Sequence, residues 1–148
     1  MHARRCLMMI AIAALPQALA GQAVANPPAA TSTSPVADAL RQMTRRFTRN
    51  LVAAAEAMPA EKYTYRPTPA QMSFAQIQVH LANEGNDILC GKTAGLDAPQ
   101  RSKVDTTATK EQLVARLKET FQFCEQAFAK MDDSKLAEPV SMFGMNLT

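Results

Sequence analysis

The sequence predicts an all-α protein built as a helical bundle, and three observations carry that prediction. Apolar residues recur at helical spacing in three segments, within residues 36–58, 74–88 and 113–131. Two of these segments open on a capping box, Ser73-Phe74-Ala75-Gln76 and Thr109-Lys110-Glu111-Gln112. No stretch alternates as a strand does, and no segment repeats.

The 148 residues are 47% hydrophobic and 20% charged, with 16 basic and 13 acidic side chains. That length suits one domain, and the apolar content is too high for a disordered chain. Three Cys cannot staple a disulfide-dense mini-scaffold. With no Trp and few aromatics the chain lacks stacking platforms, so a nucleic-acid partner is not expected.

Residues 1–25 read as a signal peptide. Arg4 and Arg5 form a positive head, Cys6 to Ala20 an apolar core, and Ala18-Leu19-Ala20 and Ala23-Val24-Ala25 are small-x-small cleavage triplets. The apolar run is shorter than the roughly 20 residues a membrane span needs, and Pro16 interrupts it. Cutting after Ala25 removes Arg4 and Arg5 and no acid, leaving 14 basic against 13 acidic side chains, a net +1. The expected product is periplasmic or extracellular, with no stable membrane span after signal removal.

Residues 26–34, rich in Pro, Ala, Thr and Ser, read as a disordered linker. The domain is expected over 35–148. Ser34 is a good N-cap and Pro35 a favoured first helical residue. The stripe Val36, Leu40, Met43, Phe47, Leu51, Ala54 and Met58 makes the first helix, which Pro59 ends. Arg41, Arg45 and Arg49 line another face and read as solvated rather than as a ligand site. Residues 59–72 hold three prolines and read as a structured loop. The second helix is expected from Ser73 to about Cys90, with Gly91 as its stop, and the third from Thr109 to about Met131. Val140 to Thr148 is a short apolar tail.

The second helix carries an anomaly. At about 100° per residue, Glu84 falls between Ile77 and Ile88 inside the apolar face, flanked by His80 and Asp87. An unpaired carboxylate there would cost several kcal/mol. A metal, a protonated histidine, a basic side chain from another helix or water in a cleft could compensate it. The Gly91–Ala108 connection is also too long for a plain hairpin, whereas long crossovers occur in four-helix topologies. The expectation is a bundle with three of four helices present and part of a seam left open.

The loop Met58-Pro59-Ala60-Glu61-Lys62-Tyr63-Thr64-Tyr65-Arg66-Pro67-Thr68-Pro69, followed by Ser73-Phe74 and Ile77-Gln78-Val79-His80-Leu81-Ala82, resembles the DinB-like superfamily of metal-dependent enzymes. Leu113 to Phe128, with Cys124, is similar to the family's third helix. The resemblance implies a four-helix bundle with a long connection between helices two and three. It implies a divalent metal, often zinc or nickel, held by three histidines, and hydrolase or thiol-transferase-like chemistry on an unknown small molecule. His80 matches the first ligand. The other two belong to a His-x-x-x-His pair that this sequence lacks, since its only other histidine is His2. The chain therefore reads as truncated, with an incomplete metal site. Glu84, four residues on, and Asp87 are auxiliary candidates. The rival reading is a non-catalytic secreted bundle that binds a partner, or itself as a homodimer, through an exposed apolar face.

Cys90 and Cys124 are the cysteines left after signal removal, and export makes a disulfide plausible. In an antiparallel hairpin Cys124 would lie about 22 Å beyond the point Cys90 reaches, at 1.5 Å per residue. A parallel arrangement, which the long crossover permits, removes the mismatch, and a Cys90–Cys124 bridge is expected. The other reading is two small buried apolar residues.

Overall fold

A computed structural model describes residues 32–147. Residues 1–25, read from the sequence as a signal peptide, the part of the expected linker before Ser32, and Thr148 lie outside the described residues.

The first helix, α1, spans Pro35–Ala57. Ser34 stands at its N-cap position, but its side chain does not cap the helix. The Asp133 carboxylate does so instead, accepting from the Val36 and Ala37 amides at 3.0 and 2.8 Å. A carboxylate suits that end because it meets free N–H groups and the positive end of the helix dipole together. Ser34 Oγ in turn accepts from the Asp133 amide at 3.4 Å.

After Pro59 the loop folds back under α1. Pro59 has no N–H to offer the Ala55 carbonyl four residues earlier. The Tyr63 hydroxyl takes that place, donating to the Ala55 oxygen at 2.6 Å from a buried position. The Tyr63 ring meets Phe74 edge to face, centroids 5.0 Å apart. Burial, with the Glu111 carboxylate adding to it, raises the phenol above its ordinary value of 10.0. The folded state thus holds this proton more tightly than the unfolded state. The resulting stability is complete below pH 10 and is lost as pH rises through the folded value. Tyr63→Phe is expected to cost about 1–2 kcal/mol at pH 7, where it orphans a buried carbonyl. It is also expected to show a shallower loss than the parent between pH 10 and 12. Urea unfolding of both proteins across that range measures the difference; parallel curves would refute the role given to the phenol.

The second rod is composite. Helix α2 (Phe74–His80) starts at the Ser73–Gln76 capping box, with both reciprocal bonds formed. A π-helical turn follows at Leu81–Gly85, and α3 (Asn86–Ala94) continues it. The rod does not stop at Gly91. It ends at Gly95, which takes the left-handed conformation (φ 66°) and closes a Schellman motif with Leu96 N–H on the Gly91 oxygen. Gly91 is needed for another reason: a Cβ there would lie 2.9 Å from the Leu96 carbonyl oxygen.

Helix α4 (Lys110–Ala129) starts at the Thr109–Gln112 capping box, again with both bonds formed. No glycine closes its far end. Arg41 does, donating Nη1 to the Phe128 and Met131 carbonyls at 2.9 and 2.8 Å. Arg41 therefore leaves the solvated arginine face that the spacing suggests. The tail, expected to hold no strand, is a hairpin of β1 (Val140–Met142) and β2 (Met145–Leu147). Its turn residues Phe143 and Gly144 both have positive φ, as a tight hairpin requires.

Helix α4 is the centre. One side of it takes α1 and the other takes the composite rod, and these are the two main helix–helix interfaces among the described residues. The rod runs parallel to α4: Ala75 packs with Leu113, Leu81 on the Leu117–Phe121 cluster, and Cys90 with Cys124. Helix α1 runs antiparallel, Leu40 packing near Phe128 and Ala55 near Val114. The predicted α1 stripe is only partly covered. Ala37, Thr44 and Ala55 are buried, while Val36, Met43 and Phe47, about 100° around the helix, stay 51%, 51% and 48% exposed. The all-α class is the one observed, with three rods, and no helix among the described residues is long and apolar enough to cross a membrane.

Candidate functional site

The packed face and the π-helical turn together decide where the polar side chains of the second rod point. The stripe that placed Glu84 beside Ile77 is not the packed face, since Ile77, ahead of the π turn, is itself 40% exposed while Ala75 and Gln78 are buried. Here the Asn86 amide donates to the Leu81 carbonyl five residues back, and the wider turn shifts the angular phase of everything after it. Glu84 faces out on the same side as Ile77, its side chain 60% exposed, next to His80 at 53%. His80 Nδ1 and Glu84 Oε2 are 3.7 Å apart. A pair this exposed contributes little to stability, so its two donors remain open to a ligand. Ile77, one turn before His80, is also exposed.

The buried carboxylate that the stripe suggested at Glu84 is instead Asp87, only 4% exposed. Its compensation is a basic side chain from another helix, with help. Oδ2 accepts from Arg101 Nε at 3.0 Å and Arg116 Nη2 at 3.3 Å, and Oδ1 accepts from Thr120 Oγ1 at 2.7 Å. Arg101 belongs to the crossover between α3 and α4, so this one carboxylate ties rod, crossover and α4 together. Asn83, within the π turn, adds a second tie: its amide exchanges hydrogen bonds with Val104 at 2.6 and 3.1 Å. Asp87, the other auxiliary candidate, thus stands apart from His80 and Glu84. Its lone pairs are engaged on the packed side, and among the described residues no three His, Cys, Asp or Glu side chains group as a metal site.

Cys90 and Cys124 form a disulfide between α3 and α4, Cα atoms 5.1 Å apart. The parallel course of the two helices brings them level.

Two concavities lie elsewhere. One, about 420 Å³, sits between the ends of α3 and α4 and the hairpin; the other, about 530 Å³, lies along α4 beside the crossover. Neither is lined by His80 or Glu84. The pair thus stands on an open face rather than in a cleft. Sequence reasoning found His80 and Glu84 because i and i+4 stay neighbours in either kind of turn. It missed Asp133 and Arg41 as caps. The one available signal was the absence of a glycine after Ala129, which leaves the α4 carbonyls in need of another donor.

These features define an all-α protein with two rods flanking a central helix and an exposed His–Glu pair on one of them. The model of the DinB superfamily matches residues 43–146, more than half of the chain, and the chain belongs to that superfamily. No curated protein and no solved structure matches it.

Proposed function

We propose that this chain is an exported member of the DinB superfamily whose open face offers His80 and Glu84 as a two-donor half-site for a divalent metal, zinc or nickel. The observation that carries the reading is the exposed pair itself, 3.7 Å apart on one helix face and free of other partners among the described residues. Imidazole suits both zinc and nickel, and zinc also accepts a carboxylate oxygen. The Cys90–Cys124 bridge supports export, because disulfides persist in oxidising compartments. So does the order of charge, apolar run and Ala-x-Ala in residues 1–25.

The residues present do not fit a catalytic zinc centre, which takes three protein ligands and an open position. Two donors on an open face fall short of that. Hydrolase or thiol-transferase chemistry would belong to a completed site.

Calorimetric titration of the full chain with zinc and with nickel tests the half-site. Binding at a dissociation constant on the order of a micromolar or tighter is expected. His80→Ala and Glu84→Gln should each weaken it by more than about tenfold, the scale already seen when outer-shell partners are lost. Affinity unchanged in both variants would overturn the proposal.

A second reading, a secreted bundle that binds a protein partner without catalysis, is favoured by Val36, Met43 and Phe47, which keep half of their surface in solvent along one flank of α1.

A further inference from the structure

We propose that the groove between the ends of α3 and α4 and the hairpin binds an amphipathic carboxylate, a medium-chain fatty acid, with its head between Lys92 and Lys130 and its tail against Leu136, Met142 and Leu147. The site shares no residue with the His80–Glu84 pair.

The fold assembles this groove from three sides. Helices α3 and α4 run parallel and lie level at the Cys90–Cys124 bridge, so their carbonyl ends come to the same end of the molecule. Lys92 stands in the last turn of α3 and Lys130 at the C-cap of α4. A single turn, Asp133–Lys135, carries the chain back, and β1 packs beside α3 on the third side. The concavity of about 420 Å³ continues into a second lobe of about 270 Å³, since Thr93, Met131, Lys135 and Val140 line both. Together they match the size of small-molecule sites, about 300–1,000 Å³.

The two lobes differ in chemistry. Asp132, Lys135 and Glu138 line both and so stand where the lobes meet. Beyond that neck the charged residues of the larger lobe are Lys92 and Lys130, both basic, whereas the smaller lobe adds only Leu136, Met142 and Leu147. Lysines at helix ends commonly bond the last carbonyls. Here those carbonyls are taken, by Arg41 on α4 and by the Gly95 and Leu96 amides on α3. The ion pairs among the described residues use Arg41, His80, Arg101, Arg116 and Lys118 instead.

Lys92 and Lys130 thus keep their charge for a ligand, and the Ser141 hydroxyl in the same lobe can donate beside them. A carboxylate answers such donors with charge-assisted hydrogen bonds. Its single charge also balances the larger lobe, where three ammonium groups face two carboxylates. At the other end Leu136 and Leu147 are 51% and 46% exposed, and an alkyl tail would take that surface from water.

The test is calorimetric titration of the full chain, disulfide intact, with decanoate, decanol and acetate, all below micelle-forming concentration. Decanoate should saturate at one per chain with a dissociation constant on the order of 10 μM, and decanol and acetate should bind at least about tenfold more weakly. Lys92→Gln/Lys130→Gln should weaken decanoate by more than about tenfold, leaving decanol and the melting curve unchanged. Met142→Asp should weaken decanoate and decanol alike. Decanol as tight as decanoate overturns the head site, and acetate as tight overturns the tail site. Binding that survives in the lysine variant but is lost in Phe47→Ser places the ligand on the α1 flank and overturns the groove. No saturable decanoate binding removes the proposal.

Discussion

Asp87→Ala is expected to destabilise the protein by about 3–5 kcal/mol, the cost of removing one partner from a buried ion pair. The loss comes from what the carboxylate leaves behind. Arg116 has a side chain only 9% exposed, and its Nε and Nη1 already lack hydrogen-bond partners among the described residues. Without Asp87 its guanidinium would keep only the Glu119 carboxylate, 3.6 Å from Nη1 and half-exposed to water. Arg101, with a side chain 25% exposed, can turn toward water and is the lesser part of the cost. The melting temperature should fall by roughly 10–20 °C for a domain of this size. The double variant Asp87→Ala/Arg116→Met should recover much of the loss, since replacing both charges removes the stranded one. A single variant within about 1 kcal/mol of the parent in urea unfolding would show that Asp87 does not hold the three segments together, against the expected range.

Loss of the disulfide is the second large effect. Cys90→Ala/Cys124→Ala should lower stability by about 3–4 kcal/mol, because the bridge closes a loop of 34 residues in the unfolded chain. Part of that loss falls on the native state, where both cysteines pack with Ala127 and Phe128 at the far end of α4. Reducing agent should act on the parent in the same direction and leave the double variant unchanged. Urea unfolding with and without reductant measures it. If the reductant moves both proteins equally, the bridge is not the cause.

Much of the fold was legible because it is locally encoded. Ser73 with Gln76 and Thr109 with Gln112 start two helices within a residue of where the pattern places them, since a capping box is satisfied by four consecutive residues. The end of the second rod was less legible. Gly91 and Gly95 are four residues apart, and the local pattern does not say which of them takes positive φ and which makes room for a carbonyl. The hairpin at Val140–Leu147 went unread because its strands are three residues each, too short for alternation to register.

The candidate site divides in the same way. His80 and Glu84 were readable as neighbours from their spacing. Which carboxylate is buried was not readable, because the stripe through Ile77 and Glu84 faces out, and the π turn shifts the phase at Asp87, which no periodicity measured at 100° per residue contains.

Taken alone, the sequence determined the helical class, the two capping boxes, the prolines and glycines that punctuate the rods, and the candidate pair on the second rod. These follow from interactions within four or five residues of chain, where backbone geometry leaves few choices. Only the tertiary structure decided the partners of Asp87, the use of Asp133 and Arg41 as distant caps, and the parallel course that joins Cys90 to Cys124. Each of those pairings spans 14 or more residues of chain. Their energies depend on desolvation and on which groups packing brings within 3 Å, and neither is written in local spacing.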